Sequence, residues 1–365
     1  MTAQEIKQKK NNSHRPIYSN GLFRVSHVTD YAIPGLYTTE PEEHKETFGS
    51  LDNKSVKSLA KIQRRLRGGL KSKFGIHLCG LYIEESPGKK FVSFTIPFHI
   101  DRLSEQFSVQ IYQPHIEDYL KSYTNTPNQQ IQQFDLGIKK ILNNSKFISH
   151  IREEQIDLAT NPAEKAFEIM EILEVFDEGE LPEPPQGKKY YVCIGGNKNF
   201  QCFLSRDNVS KGEFISHHED ELDDCLKPVY VDNFVVVRQD AKYAIPGFYI
   251  VSPKKHYTRI DETPKDIFEK SMLRARDVRR VLSAMGINRA HIYHDEKYNS
   301  PTSVHFWVLP VYEKHIRAHK LNPTIFSKDI WTYLDTFPRF GKSKSQIQKF
   351  NTIMKQGLGK LKNIS

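Results

Sequence analysis

No apolar run in this 365-residue chain approaches the ~20 residues that a helix needs to cross a bilayer. The opening stretch, Met1-Thr-Ala-Gln-Glu-Ile-Lys-Gln-Lys-Lys-Asn-Asn-Ser-His14, is polar and basic and lacks the apolar centre of a secretory signal. A disordered basic arm over residues 1–14 is the expectation. Cysteine is scarce too: Cys79, Cys193, Cys202 and Cys225 are too few and too scattered for a disulfide scaffold at this length. No two of them have the close Cys-x2–4-Cys spacing of a zinc site. His217 and His218, which could join Cys193, Cys202 and Cys225 in one, therefore read as surface histidines beside core cysteines. No metal-ligating residues are assigned and no cofactor is certain; a divalent metal stays open. Together these shortages point to a reducing, cytoplasmic setting away from membranes.

Acidic residues are in the minority. Lys and Arg number 53 against 44 Asp and Glu, a net charge of +9, which favours anionic partners: nucleotides, phosphorylated metabolites or nucleic acid. Charge alone does not choose among them. A composition of 38% hydrophobic and 27% charged residues fits a globular protein with a sizeable core, and the length suits two domains.

What the chain does contain is a repeat. Tyr31-Ala-Ile-Pro-Gly-Leu-Tyr-Thr-Thr-Glu-Pro-Glu-Glu-His44 returns without a gap as Tyr243-Ala-Ile-Pro-Gly-Phe-Tyr-Ile-Val-Ser-Pro-Lys-Lys-His256, at an offset of 212 residues. The correspondence continues: Tyr119-Leu120 pairs with Tyr333-Leu334 and Phe134 with Phe350, the offset drifting to 216 as small loop insertions would make it. Two copies, 15–145 and 227–365, follow.

Each copy carries the same order of patterns. Short β-prone runs flank the Pro-Gly turn, and apolar residues at helical spacing come next. In the first copy that helix spans 52–73, with Val56, Leu59, Ile62, Leu66 and Leu70 on one face and Lys57, Lys61, Arg64, Arg65, Arg67 and Lys71 on the other. In the second it spans 265–285. Strands are expected at 76–83 and 91–98 in the first copy, with helices at 115–123 and 131–142. The second copy should have strands at 228–237, 248–251, 290–294 and 304–311. Between the copies, 146–226 has no counterpart. Its acidic part, Glu164 to Glu183, ends in a Pro-Glu-Pro-Pro linker signature, and 189–205 reads as a β-hairpin around Gly195-Gly196. That Gly pair reads as a hairpin turn rather than a phosphate cradle, because no helix starts behind it.

The second copy resembles a histidine triad domain. The residues that carry the resemblance are Asn233-Phe-Val-Val-Val-Arg-Gln-Asp240, the Ala-Ile-Pro-Gly turn, the strand ending in Pro253-Lys-Lys-His256, the long helix, and Ser303-Val-His-Phe-Trp-Val-Leu-Pro310. The tandem arrangement resembles the branch of galactose-1-phosphate uridylyltransferases and dinucleoside-polyphosphate phosphorylases. The fold this implies is α+β: two tandem modules of antiparallel sheet with packed helices, forming an internal pseudo-dimer joined by the 146–226 linker and hairpin.

The resemblance also implies a chemistry. His305 stands at the central triad position and would attack a nucleotide α-phosphate as a neutral imidazole, giving a nucleotidyl-histidine. Asp240 stands where the family places an acid on the ribose hydroxyls, a task suited to a carboxylate because it accepts two hydrogen bonds from a diol. Lys254, Lys255 and His256 end a strand that lies near the phosphates in the family, although His256 recurs as His44 and also reads as a turn residue. Asn233 opens the signature and is placed with the nucleotide. The chain departs from the triad at its outer positions, which are Ser303 and Trp307. Serine can still donate to a phosphate oxygen; an indole donates but cannot accept. His291, His294 beside Asp295, Asn299 and Ser300 are candidates to supply the missing donors, with His294 the best placed to stabilise charge on a transferring phosphate.

In the first copy Val92 falls at the position of His305, Lys90 at that of Ser303 and Val28 at that of Asp240. That copy is therefore expected to pack rather than react. The implied function is nucleotidyl transfer, phosphorolysis or hydrolysis on a nucleotide or nucleotide-sugar substrate. The alternative is a non-catalytic nucleotide- or RNA-binding protein, motivated by the basic face of the 52–73 helix and by Lys342, Lys344, Lys349, Lys355, Lys360 and Lys362.

Overall fold

The computed structural model describes residues 16–28, 30–99, 119–120, 123, 126–144, 188–192, 201–205, 227–240, 243, 245–254, 257, 259–296, 304–324, 327, 329–337 and 340–362. In chain order the first elements are β1 (Tyr18–Ser19), β2 (Phe23–His27), β3 (Tyr37–Pro41), α1 (Asn53–Phe74), β4 (Leu78–Glu84), β5 (Val92–Phe98) and α2 (Asn128–Asn143). Next come β6 (Lys188–Val192), β7 (Gln201–Ser205), β8 (Tyr230–Val231), β9 (Val235–Gln239), β10 (Tyr249–Pro253) and α3 (Lys265–Ala284). The chain continues with β11 (Ala290–Asp295), β12 (Phe306–Pro310), α4 (Glu313–His319), α5 (Asp329–Asp335) and α6 (Phe340–Lys362). The class is α+β. No helix among the described residues is long and apolar enough to cross a membrane.

Two compact units emerge. The first is made of Met1–His150, Ile287–Asp295 and Val311–Tyr333, the second of Ile151–Gly286, Glu296–Pro310 and Leu334–Ser365.

In the first unit the strand order is β1-β2-β3-β5-β4-β11, each pair antiparallel. Helix α1 starts where the Asp52 side chain accepts the Ser55 backbone N–H at 2.7 Å, and stops at Gly75, whose φ of 66° ends the helix in the left-handed region. Its apolar stripe, Val56, Leu59, Ile62, Leu66 and Leu70, is buried. Gln63 from the same helix reaches the sheet, donating to Ser93 at 2.9 Å and accepting from Thr95 at 2.6 Å. That contact fixes which face of β5 the helix covers. A buried carboxylate pins the far strand: Glu85 accepts the Phe48 N–H at 2.9 Å and the Ala290 N–H at 3.0 Å, and is 1% exposed.

The basic face expected on this helix is only partly at the surface. Lys57 and Lys61 are exposed, but Arg64, Arg65 and Arg67 are buried. Arg65 donates to the carbonyls of Leu142 (2.8 Å) and Asn144 (3.1 Å), closing the C-terminal end of α2. Arg67 donates to the carbonyls of Ile76 (3.2 Å) and His77 (2.8 Å). A buried guanidinium must find acceptors; carbonyls left open past the helix ends supply them, and the charge is withdrawn from any partner.

In the second unit the order is β12-β10-β9-β8, again antiparallel. Helix α3 packs Phe268 on Phe306, with ring centroids 5.7 Å apart. The Tyr249 hydroxyl donates to Asn351 of α6 at 3.0 Å. In the first unit Tyr37 and Asp135 occupy the corresponding sequence positions, and His27, at that of Gln239, has its Nδ1 3.3 Å from the Asp135 carboxylate.

The Pro-Gly turns answer to sterics. Gly35 has φ +87° and Gly247 φ +82°. A Cβ on Gly35 would stand 2.7 Å from Leu70 Cδ2, and one on Gly247 3.0 Å from Phe350. Both the backbone conformation and the helices pressed against it demand glycine. Where α1 meets α2, Gly69 makes room for Ile141; where α3 meets α6, Gly357 makes room for Val281.

The strand and helix expectations agree with these elements wherever both can be compared, except that 228–237 divides into β8 and β9 around an Asp232 turn. Of the helix expected at 115–123 only Tyr119, Leu120 and Tyr123 are described, and the 1–14 arm, the acidic stretch 164–183 and Gly195-Gly196 lie outside the described residues. β6 and β7 pair antiparallel, the two arms of the expected hairpin.

Candidate active site

The alternation of β9 and β10 gives the second unit a covered face and an open one. Val235, Val237, Gln239, Tyr249, Val251, Phe306 and Val308 are buried, while Val236, Arg238, Ile250, Ser252 and Trp307 are half-exposed. Side chains alternate along a strand and paired residues share a face. Ile250 is the partner of both Arg238 and Trp307, so Arg238, Ile250 and Trp307 form one row across the open face.

His305 joins that face from the residue just before β12. It is half-exposed, and its ring centroid is 5.1 Å from that of Trp307 with the planes 60° apart. Trp307 in turn meets Phe248 edge to face at 6.3 Å, and Phe248 meets Tyr243 at 6.3 Å. The segment before His305 is tied down, the Val304 N–H donating to the Tyr257 carbonyl at 2.5 Å. An imidazole on a solvent-reachable face, held by an aromatic neighbour, can act as a nucleophile.

Asp240 follows β9 at the other end of the sheet. Its N–H donates to the Phe248 carbonyl at 2.8 Å, and its Oδ1 accepts the Tyr243 N–H at 2.7 Å. The residue is 4% exposed. Its demonstrated task is to shape the turn that leads to Pro-Gly. Register places its backbone roughly 16 Å from that of His305, from two strand spacings and four residues of rise. Burial, with Asp240 and Asp335 adding to it, pushes the Tyr243 phenol up. Burial also raises Tyr257, helped by Asp266. Both remain hydrogen-bond donors at neutral pH.

Lys254 and Asn233 lie at the same end as His305. The Lys254 N–H donates to the Phe234 carbonyl at 2.7 Å, and both Lys254 and Asn233 are exposed. Asn233 sits in a tight turn closed by Asp232, whose Oδ1 accepts from the N–H groups of Phe234 (2.8 Å) and Val235 (2.7 Å). His294 belongs to the first unit. It is 2% exposed on β11 opposite Leu81, and Leu81 is opposite Thr95, so His294 shares the face that α1 covers. Ser303, Lys255, His256, Asn299 and Ser300 lie outside the described residues. So do Cys193, Cys225, His217 and His218. Among the described residues no three of His, Cys, Asp and Glu come together in a way that could hold a metal ion.

No protein-family model matches the chain, and no curated protein matches it by sequence. Solved structures to which it is similar include a uridylyltransferase, at 8% identity over 86% of this chain and 75% of that one, with a TM-score of 0.38. A galt-like protein from Arabidopsis thaliana is similar at 8% identity over 87% of this chain and 84% of that one, TM-score 0.40. An ADP-glucose phosphorylase from Arabidopsis thaliana, solved with bound ADP-glucose, is similar at 8% identity over 87% and 82%, TM-score 0.41.

The first unit presents the same register without the same chemistry. Thr95 is opposite Tyr37 as Val308 is opposite Tyr249, which sets Val92 in the place of His305. The Val28 N–H donates to the Leu36 carbonyl at 3.0 Å, as that of Asp240 does to Phe248, so Val28 stands where the acid would be. Lys90 donates to the carbonyls of Pro41 and Glu42, a structural use of its charge. Sequence reasoning missed Arg238 as a member of the open face. Its signal was parity: it is two residues before Asp240 in a strand whose odd positions, Val235 and Val237, are apolar.

Proposed function

We propose that this chain is a nucleotidyl-transferring enzyme, of the uridylyltransferase and nucleotide-phosphorylase kind, and that His305 is its nucleophile. The observation that carries this reading is the placement of His305: half-exposed just before β12, with Trp307 against its ring. In the proposed reaction an imidazole nitrogen forms a bond to the α-phosphorus. The bond from phosphorus to the leaving oxygen breaks, and the leaving group departs with that electron pair. An oxygen of phosphate, a sugar phosphate or water then attacks the same phosphorus, the P–N bond breaks, and the imidazole is regenerated.

Around this centre Ser303, Lys254, Lys255 and His256 would face phosphate oxygens, with Asn233, Asn299 and Ser300 at the rim. Lys254 and Asn233 sit at the His305 end of the sheet, which favours a phosphate role for that end. Asp240 accepts the Tyr243 N–H within the turn, and contact with the ribose is assigned to the same carboxylate. The substrate would be a nucleotide or nucleotide sugar. The first copy, with Val92 and Val28 in the two key places, would serve as the packing half of an internal pseudo-dimer. RNA binding loses ground as the rival, because Arg64, Arg65 and Arg67 are buried.

The test is mass spectrometry of the protein after incubation with a panel of nucleotides and nucleotide sugars. An acid-labile, hydroxylamine-sensitive nucleotidyl adduct on His305, lost in a folded His305→Asn variant, is the expected result. Undiminished turnover in His305→Asn would overturn the reading.

A further inference from the structure

The site contains one residue whose chemistry is at odds with a phosphate-handling histidine cluster, and it lies against the nucleophile. Trp307 follows His305 by two residues on the same strand face. The two ring centroids are 5.1 Å apart with the planes at 60°, a separation inside the ~6 Å over which an indole and a cation interact. Trp307 does not move freely in that position. Phe248 backs it at 6.3 Å and 68°, and Ile250 is directly opposite it on β10. Trp307 and Ile250 sit on the paired strands β12 and β10, so the indole is presented to His305 by a hydrogen-bonded strand rather than by a loop.

An imidazole that has bonded a phosphoryl group through one nitrogen, while its other nitrogen keeps a proton, carries positive charge spread over the ring. The same charge appears on simple protonation. A neighbouring π-system lowers the energy of either cation without taking part in the bond changes. We infer that Trp307 is a positioning residue: it fixes the plane of the His305 ring and stabilises positive charge on it. The catalytic consequence rests on reading His305 as the nucleophile; the stabilisation of charge does not.

The two can be separated by experiment. The titration of His305 is followed by NMR in the full chain, comparing wild type, Trp307→Met, which fills the strand face without a ring, and Trp307→Phe. In Trp307→Met, His305 is expected to lose its proton at a pH roughly 0.5 to 1 lower than in wild type, and Trp307→Phe to restore most of the difference. An unchanged titration in Trp307→Met, or a loss that Trp307→Phe does not restore, overturns the inference. Should Trp307→Met fail to fold, Trp307→Leu is read the same way, and Phe248→Leu, which removes the support behind the indole, must lower the titration in the same direction. For turnover, Trp307→Met should lower kcat roughly tenfold with KM little changed, and Trp307→Phe should recover it. A shifted titration with no nucleotidyl adduct on the wild-type protein would leave Trp307 in its role and remove His305 from that of nucleophile.

Discussion

Val281 occupies the space that a side chain on Gly357 would need: a Cβ there would lie 2.6 Å from Cγ2 of Val281. Forcing a side chain into this contact overfills it. Gly357→Val is expected to destabilise the protein by about 1–3 kcal/mol in urea unfolding. Adding Val281→Ala should recover part of that loss, and a double-mutant cycle should return a coupling of about 1 kcal/mol. Gly359, also in α6, has nothing within 4 Å of an added Cβ. Gly359→Ala should therefore stabilise, by up to ~1 kcal/mol.

Glu85 is the acceptor for two backbone N–H groups that come from distant parts of the chain, Phe48 and Ala290. Truncation leaves both donors buried without that acceptor. Glu85→Ala should cost about 2–5 kcal/mol, and Glu85→Gln, which keeps a single acceptor oxygen, roughly half as much. Equal denaturation midpoints for wild type and Glu85→Ala would contradict this.

The two tasks assigned to Asp240 respond differently to substitution. Asp240→Asn retains a side-chain oxygen to accept the Tyr243 N–H, so the turn and the melting temperature should be kept. The charged acceptor for a ribose is lost, and KM for the nucleotide should rise roughly tenfold with kcat little altered. Asp240→Ala should lose stability as well, by about 1 kcal/mol.

His315 is held below its ordinary titration range, first by burial and then by His319, whose ring centroid is 4.5 Å away. His319→Ala should raise the His315 titration observed by NMR. A base whose affinity for protons is lower in the folded chain makes folding less favourable as pH falls. The effect sets in below the unfolded value near 6.5 and is complete once the folded group has also protonated. Denaturation midpoints should therefore decline slightly less between pH 7 and pH 5 in His315→Gln than in wild type.

Local pattern made much of this fold legible. The helical stripe from Val56 to Leu70 and the alternation around Val235 and Val237 are each written within one helix or one strand. Accordingly, α1 was expected at 52–73 and spans Asn53–Phe74, and α3 was expected at 265–285 and spans Lys265–Ala284. The fate of Arg64, Arg65 and Arg67 was not legible, because the carbonyls that receive Arg65 belong to Leu142 and Asn144, far along the chain. At the site, the pairing of His305 with Trp307 could be read from their spacing. The direction of the Asp240 carboxylate could not, since it depends on the turn that Tyr243 closes. Nor could the burial of His294 be read, which follows from β11 lying beside β4 rather than from its own sequence.

That last pairing bears on how the chain can be made. The first unit takes β11 and the segment Val311–Tyr333 from the far end of the sequence. On a ribosome, the N-terminal half therefore emerges with the outer edge of β4 bare and Glu85 lacking the Ala290 N–H. It must wait in that condition until β11 and the segment Val311–Tyr333 have been synthesised. An open strand edge is a template for pairing with other chains, and contacts this distant in sequence form slowly. Nascent chains halted near residue 226 should thus be sticky and dependent on chaperones, and release should come only once residue 333 has cleared the exit tunnel.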